Sequence, residues 1–363
     1  MFINIQFLRA IAALLVVFYH TADHFFVVGG AHSGNIFSLL SHIGYIGVDI
    51  FFVISGFIMW ITTQKLQGLL GASKFAYARA TRIYLVYWFF LAFMIYYYHH
   101  SLSNFDLIGS IFLTVSSSSK LLLQVAWTLQ FELYFYLLFA LLLFLPKAHR
   151  IKVLIALFAV IILLQIYASY FLDIYNKNIF NEASTFWTFW SSPYILEFLM
   201  GSFIGYFYET KRIKYLMPLY VGVILLIASG LYYQSHYIDG TLADGYYLRE
   251  RVLFLGLASA LLLAIAVEWE KRSKQIVPKF SLLVGGASYS IYLSHTIILL
   301  FIYEIGLRDW IGKVGQYQLW FMLGIVLLIV VYSVMHYKWV ESPIMRWSHR
   351  FGKRIFNKFG YAP

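Results

Sequence analysis

The sequence predicts an all-α fold: a polytopic transmembrane helix bundle of about ten spans with both termini cytoplasmic. Three observations predict it. Of 363 residues, 61% are hydrophobic and 12% charged, against roughly a quarter charged in an ordinary soluble chain. The apolar residues gather in segments of about 20, the length that crosses a bilayer at 1.5 Å rise per residue. Basic residues collect in alternate loops, as the positive-inside rule requires of short connections.

Taken in order, the expected spans are 7–28, 44–62, 83–98, 131–146, 152–172, 193–208, 216–233, 252–269, 282–303 and 318–338. The run 105–125 is weaker, because "TVSSSSK" interrupts it. It reads as a re-entrant or interfacial piece; as a span it would raise the count to eleven. Charge decides between the two. With ten spans, the inner loops near 65–82, 147–152, 211–214 and 271–279, with the tail from 338, hold 20 of the 27 lysines and arginines. The outer loops hold Lys120, Lys177, Arg249, Arg251, Arg308 and Lys313, and Arg9 lies within the first span. An eleventh span would invert this bias, so ten is expected.

The net charge of +11 is then largely topology, and no basic soluble face suggests nucleic acid. The chain has no cysteine, which excludes disulfides, thiolate metal sites and a thiol nucleophile. Neither repeats nor long linkers divide it, so one domain is expected over residues 1–340, followed by a short basic cytoplasmic tail over 341–363. No basic residues precede the first span and no small-residue cleavage site follows cleanly, so it should remain attached. Tyrosine clusters such as "YYYHH" at 96–100 fall at span ends, where aromatic belts form.

A charge at the bilayer centre costs at least ~2.5 kcal/mol, so each one calls for a role. The first span carries Arg9 and His20. Eleven residues turn the helix only about 20° past three full turns, so both share a face, about 16 Å apart along the axis. Asp49 enters the second span about two turns from its outer end, at a depth like that of His20. A carboxylate there would fix the imidazole tautomer and stabilise the imidazolium, as a general base needs. The competing readings are an Arg9 that snorkels to the headgroups and an Asp49 that caps its helix. His20 and His24 have i, i+4 spacing, but no HExxH pattern or third ligand accompanies them, so no metal is expected.

Six motifs occur in order: Arg9 and His20, "GYIGVDIFFVISGFIM" at 44–59, "RATRIY" at 79–84, "WTLQFELYFY" at 127–136, "SYSIYLSH" at 288–295 and "ESP" at 341–343. Together they resemble the acyltransferase 3 family of membrane acyltransferases over nearly the whole chain. The resemblance implies a ten-helix bundle of the bacterial inner membrane. Such a bundle takes an acyl group, most often acetyl, from cytoplasmic acyl-CoA (here acetyl-CoA) and puts it on a hydroxyl of an envelope polysaccharide or lipid-linked glycan. The family's RxxRIxP pattern has Leu85 in place of proline, which leaves the arginines intact but not the turn after them. Many members carry a C-terminal extracytoplasmic esterase-like domain. This sequence ends about 20 residues after its last expected span, one helical tail's length, so the bundle or a separate partner would complete transfer.

Within that resemblance, Arg79 and Arg82 lie one turn apart and can clamp the donor's phosphates, since guanidinium forks suit phosphate; plain topological charge is the alternative. Glu341 lies just after the last span, where it can pair with Arg9 or Arg79 or form a surface ion pair. Trp127 and Glu132 open the fourth span, and Ser288, Tyr292 and His295 recur on one face of the ninth. Stacking rings with acids and hydroxyls suit a sugar acceptor, while belt and packing roles compete. Catalysis is expected as direct transfer with His20 as base, against an acyl-histidine or an acyl-serine on Ser55 or Ser288. The alternative function is a transporter or lipid-glycan flippase with an intramembrane proton relay, although the halves show no convincing match. A monomer and a homo-oligomer are equally open.

Overall fold

The computed structural model describes residues 2–26, 43–171, 189–208, 210–237, 249–272, 277–307 and 317–358. Lys177, Lys274, Arg308 and Lys313, used above for topology, lie outside the described residues, as does the His24 side chain. All regular structure among the described residues is helical. The long elements are α1 (Ile3–Phe26), α2 (Ile46–Thr63), α3 (Gly68–Tyr97), α4 (Trp127–Leu142), α5 (Lys147–Phe171), α6 (Tyr194–Phe207) and α7 (Met217–Tyr237). They are followed by α8 (Leu257–Lys271), α9 (Lys279–Gly286), α10 (Ser288–Glu304), α11 (Gln318–His336) and α12 (Ser342–Lys358). Among the described residues, eight helices are long and apolar enough to cross a membrane, or nine if the bent pair α9–α10 is one span. The protein is therefore a multi-pass membrane bundle. Each of the ten expected segments contains one of these helices or the 14-residue α6, which is shorter than a full crossing.

Three boundaries differ from the sequence expectation. The third helix begins at Gly68, well before residue 83. Lys74, Arg79 and Arg82 lower its hydropathy but do not oppose helix, and with Leu85 where a proline would have interrupted the backbone bonds, α3 runs unbroken to Tyr97. The ninth segment is broken, with α9 and α10 meeting at 70° around Ala287. The third difference is the tail, which continues from α11 through a π-helical turn, Tyr337–Glu341, into amphipathic α12. There Tyr77 of α3 donates to the Ser348 carbonyl at 3.0 Å and its ring meets Phe356. The run 105–125 forms no long helix. It folds as short turns around Leu107–Phe112, with Asp106 capping that helix through the Gly109 N–H.

Helix ends are closed by side chains from elsewhere in the chain. The first N–H groups of α1, at Ile3 and Asn4, donate to the Glu270 carboxylate at 3.0 and 2.7 Å, satisfying donors that a helix start leaves open and placing negative charge at its positive end. Arg150 of α5 donates to the carbonyls of Thr63 and Leu66 at 3.2 and 2.8 Å, closing the end of α2.

At the centre, α2 lies against α6 in direct backbone contact. A Cβ on Gly56 would strike the Phe198 carbonyl, and one on Gly201 would strike the Val53 carbonyl. Small residues let membrane helices meet this closely, and Ser202 uses the approach to donate to the Gly56 carbonyl at 3.2 Å. Gly56→Val is expected to destabilise the protein by about 1–3 kcal/mol or more, because backbone has no rotamer with which to retreat. Thermal unfolding in detergent checks this; a variant melting with the wild type would mean that the two helices tolerate separation.

Candidate functional site

Two cavities stack along α1. The first, about 310 Å³, is lined on α1 by Phe2, Ile5, Gln6 and Arg9; the second, about 400 Å³, by Val16, Tyr19 and His20. The shared helical face of Arg9 and His20 thus puts each at a different cavity.

The first cavity is built around guanidinium groups. Arg9, Arg79 and Arg82 all line it, with Glu132, Ser55, Ser288 and Tyr136. Arg9 donates to Ser288 Oγ at 2.8 Å, a contact made possible by the bend at Ala287, where Gly285 lies against the Gln6 backbone. Arg79 donates to Thr62 Oγ1 at 2.9 Å and lies over the rings of Phe75 and Tyr136, 5.4 and 5.7 Å from their centroids. Such stacking holds the planar fork while leaving other donors available. Glu132 accepts from Ser55 Oγ at 2.9 Å and from the Tyr136 hydroxyl at 3.1 Å. Arg82, Glu341 and Glu132 are the charged neighbours of Arg9. Three cations against two carboxylates leave the site with excess positive charge, and in a low-dielectric setting that charge attracts a polyanion strongly. Apolar side chains, among them Val48, Phe51, Phe52, Ile54 and Met59, also line it, together with Gln6, Thr62 and Thr128.

Glu341 is held by residues the sequence reading missed. Ser290 Oγ donates to Glu341 Oε2 at 2.6 Å and lies 2.8 Å from His336 Nδ1. The π-helical turn ending at Glu341 widens the helix there, a distortion often found at functional sites. No motif spacing marks Ser290 and His336 as partners; only the crossing of α10 and α11 brings them together.

The second cavity holds His20, Tyr19, Tyr45, Trp127, Tyr292, Thr296 and Arg251, with Tyr98, Phe105, Ser118 and Gln124. His20 sits 5.1 Å, centroid to centroid, from the ring of His295. His295 is buried; its Nδ1 is 3.2 Å from the Ile291 carbonyl, so Nδ1 carries the hydrogen. Trp127 packs among Phe52, Phe131 and Tyr194 and turns one side to this cavity. Trp127 and Glu132, grouped by sequence, therefore line different cavities, and Ser288 belongs with Arg9. Of the three α10 residues, Tyr292 lines both cavities.

Asp49 does not take the position expected of it. Its two oxygens accept from Arg251 Nε and Nη2 at 3.0 and 2.8 Å, and the pair is 0% and 2% exposed. Arg251 also donates to the Tyr45 carbonyl at 3.2 Å. The expectation that Asp49 serves His20 is replaced by a fork-to-fork ion pair, and Arg251 is a bundle residue where the sequence reading had put it in an outer loop. Helix begins at Arg249, ahead of the expected span, and runs through a π-helical turn at Val252–Gly256, so Arg251 is part of the bundle. Glu197, also fully buried, lies beside Asp49 and against Gly256. Its signal was present in the sequence: an acid inside the expected span 193–208, subject to the same cost as Asp49.

Among the described residues no group of three or more His, Asp or Glu side chains could hold a metal ion. The helical membrane bundle thus holds one arginine-lined cavity and a second cavity lined by a histidine. The chain belongs to the acyltransferase 3 family: that family's model, described as an acyltransferase domain, matches residues 2–338. It is a membrane acyltransferase. It is 30% identical over 315 residues to the exopolysaccharide production protein ExoZ of Rhizobium meliloti (strain 1021), covering 84% of this chain and 90% of that protein. No solved structure matches the chain. Family membership displaces the transporter alternative.

Proposed function

We propose that the protein is an O-acyltransferase of the bacterial cytoplasmic membrane that moves an acetyl group from cytoplasmic acetyl-CoA to a hydroxyl of an envelope polysaccharide or lipid-linked glycan. The observation that carries this reading is the convergence of Arg9, Arg79 and Arg82 on one cavity that apolar side chains also line. Guanidinium groups suit the donor's phosphates, and apolar lining residues such as Phe51, Phe52 and Met59 suit its pantetheine arm. In this reading both termini and the arginine cavity face the cytoplasm, in line with the basic loops. The second cavity takes the acceptor, with Trp127 and Tyr19 as stacking surfaces and His20 at the reacting hydroxyl. The relative's role in exopolysaccharide production supports a polysaccharide acceptor.

The step balances without a covalent intermediate. The acceptor hydroxyl oxygen attacks the thioester carbonyl as His20 takes its proton; the C–S bond breaks, and the proton passes to the departing thiolate. One ester and one free thiol result. A second reading is favoured by the Ser55–Glu132 hydrogen bond in the arginine cavity: Ser55 as a transient acyl carrier with Glu132 as its base.

The test is acetyl transfer by purified protein in lipid nanodiscs, with glycan acetylation followed by mass spectrometry and thiol release measured in parallel. Equal yields of acetyl ester and free thiol are expected. Arg79→Ala and Arg82→Ala should each weaken acyl-CoA binding several-fold, and lysine should rescue only partly because it lacks the bidentate fork. Unchanged donor affinity in the double alanine variant would leave these arginines to topology alone.

A further inference from the structure

The two cavities share two lining side chains, Val48 of α2 and Tyr292 of α10. Arg9, Arg79 and Arg82 line one cavity and His20 lines the other, so the donor's thioester and the base meet only across this pair. Tyr292 is fixed in place. Its hydroxyl donates to the Val125 carbonyl at 2.8 Å and lies 2.8 Å from Thr128 Oγ1, which is itself 3.2 Å from the same carbonyl. The ring is further held edge-on by Phe51, 6.3 Å between centroids. Both residues are 8% exposed. Val48 is branched at Cβ and has few rotamers on a helix, and Gly47 beside it packs directly on the Ala12 carbonyl, so α2 has no room to slide toward α1.

We infer that Val48 and Tyr292 form the partition that the acyl group must enter, and that this partition restricts transfer to short acyl chains. The inference rests on the acyl-transfer reading above and adds a specificity-determining pair to it. A phenol tethered at its far end and a stiff valine make a wall that yields little to a bulkier chain. A longer chain would have to displace the tethered ring and break the Tyr292 hydroxyl's hydrogen bond to the Val125 carbonyl, a cost the short chain avoids. Selectivity of this kind is set by shape, and each methylene added against a rigid wall typically shifts discrimination by about 10–200-fold.

The experiment compares acetyl-, butyryl- and hexanoyl-CoA as donors in the reconstituted protein, reading the ratio of kcat/KM for each long donor to that for acetyl-CoA. Val48→Ala is expected to raise the butyryl-to-acetyl ratio about tenfold or more. Tyr292→Phe keeps the ring but removes its tether and should raise the ratio less, while Val48→Ile should lower it. A merely structural role would depress all donors together and leave the ratio where it was. Because Val48→Ile moves the ratio the opposite way, the inference stays testable even if the alanine variant does not fold. Wild-type turnover with all ratios unchanged in the folded variants would overturn the partition alone. Wild-type protein that turns over none of the three donors would overturn the acyl-transfer reading and the partition with it.

Discussion

His20→Ala is expected to lose about 10²–10⁴-fold in turnover, the usual contribution of a positioned general base, while acyl-CoA affinity stays at the wild-type value. The separation follows from geometry. His20 lines the second cavity and none of the first, where Arg9, Arg79 and Arg82 stand. In the proposed mechanism donor binding and proton transfer rest on different residues, so kcat should fall with the dissociation constant unmoved. Single-turnover kinetics alongside donor titration would check it. Near-normal turnover in His20→Ala would remove the imidazole from the chemistry. Intact-mass measurement after incubation with acyl-CoA alone addresses the covalent route: no adduct is expected, and a stable acyl group on Ser55 would transfer the first step to the Ser55–Glu132 pair.

Arg251→Ala is expected to cost about 3–5 kcal/mol of stability, because it strands the buried Asp49 carboxylate without its partner. Asp49 is 0% exposed and Glu197 lies beside it, so the variant would also leave two carboxyl groups together with no cation. The doubly neutral Asp49→Asn, Arg251→Gln protein should recover much of that loss, since an amide pair can still exchange hydrogen bonds. Fluorescence-monitored unfolding in detergent, paired with turnover per folded molecule, separates structure from chemistry. Asp49→Asn should lower both in step. A melting temperature unchanged in Arg251→Ala, with turnover selectively lost in Asp49→Asn, would return Asp49 to a role beside His20.

The Asp49 pairing shows why a site within a membrane bundle is only half legible from sequence. Depth along a span could be estimated from sequence by counting turns from the span's end. Direction could not, because two residues at one depth on neighbouring helices face each other only if both helices are rotated suitably. Asp49 faces Arg251, 202 positions along the chain, whose own position looked like a loop charge ahead of an apolar run. Trp127 and Glu132 illustrate the same difficulty on a single helix: five residues are more than one turn, and α4 presents them to different cavities. Ser290 lies within the "SYSIYLSH" motif, but nothing in the sequence paired it with His336; the crossing of α10 and α11 did so.

The sequence by itself determined that this chain is an all-α membrane protein, where most of its helices run, that it carries the acyltransferase motifs in order, and that 105–125 is not one long helix. These follow from composition and local period, which act within about 20 residues. Only the tertiary structure decided the bend at Ala287, the two cavities, the Val48–Tyr292 partition between them, and the pairing of Asp49 with Arg251. Each of these depends on the rotation and approach of helices far apart in the chain. In an apolar medium, that approach is set by where glycines allow backbone contact and where buried charges find partners, neither of which leaves a period in the sequence.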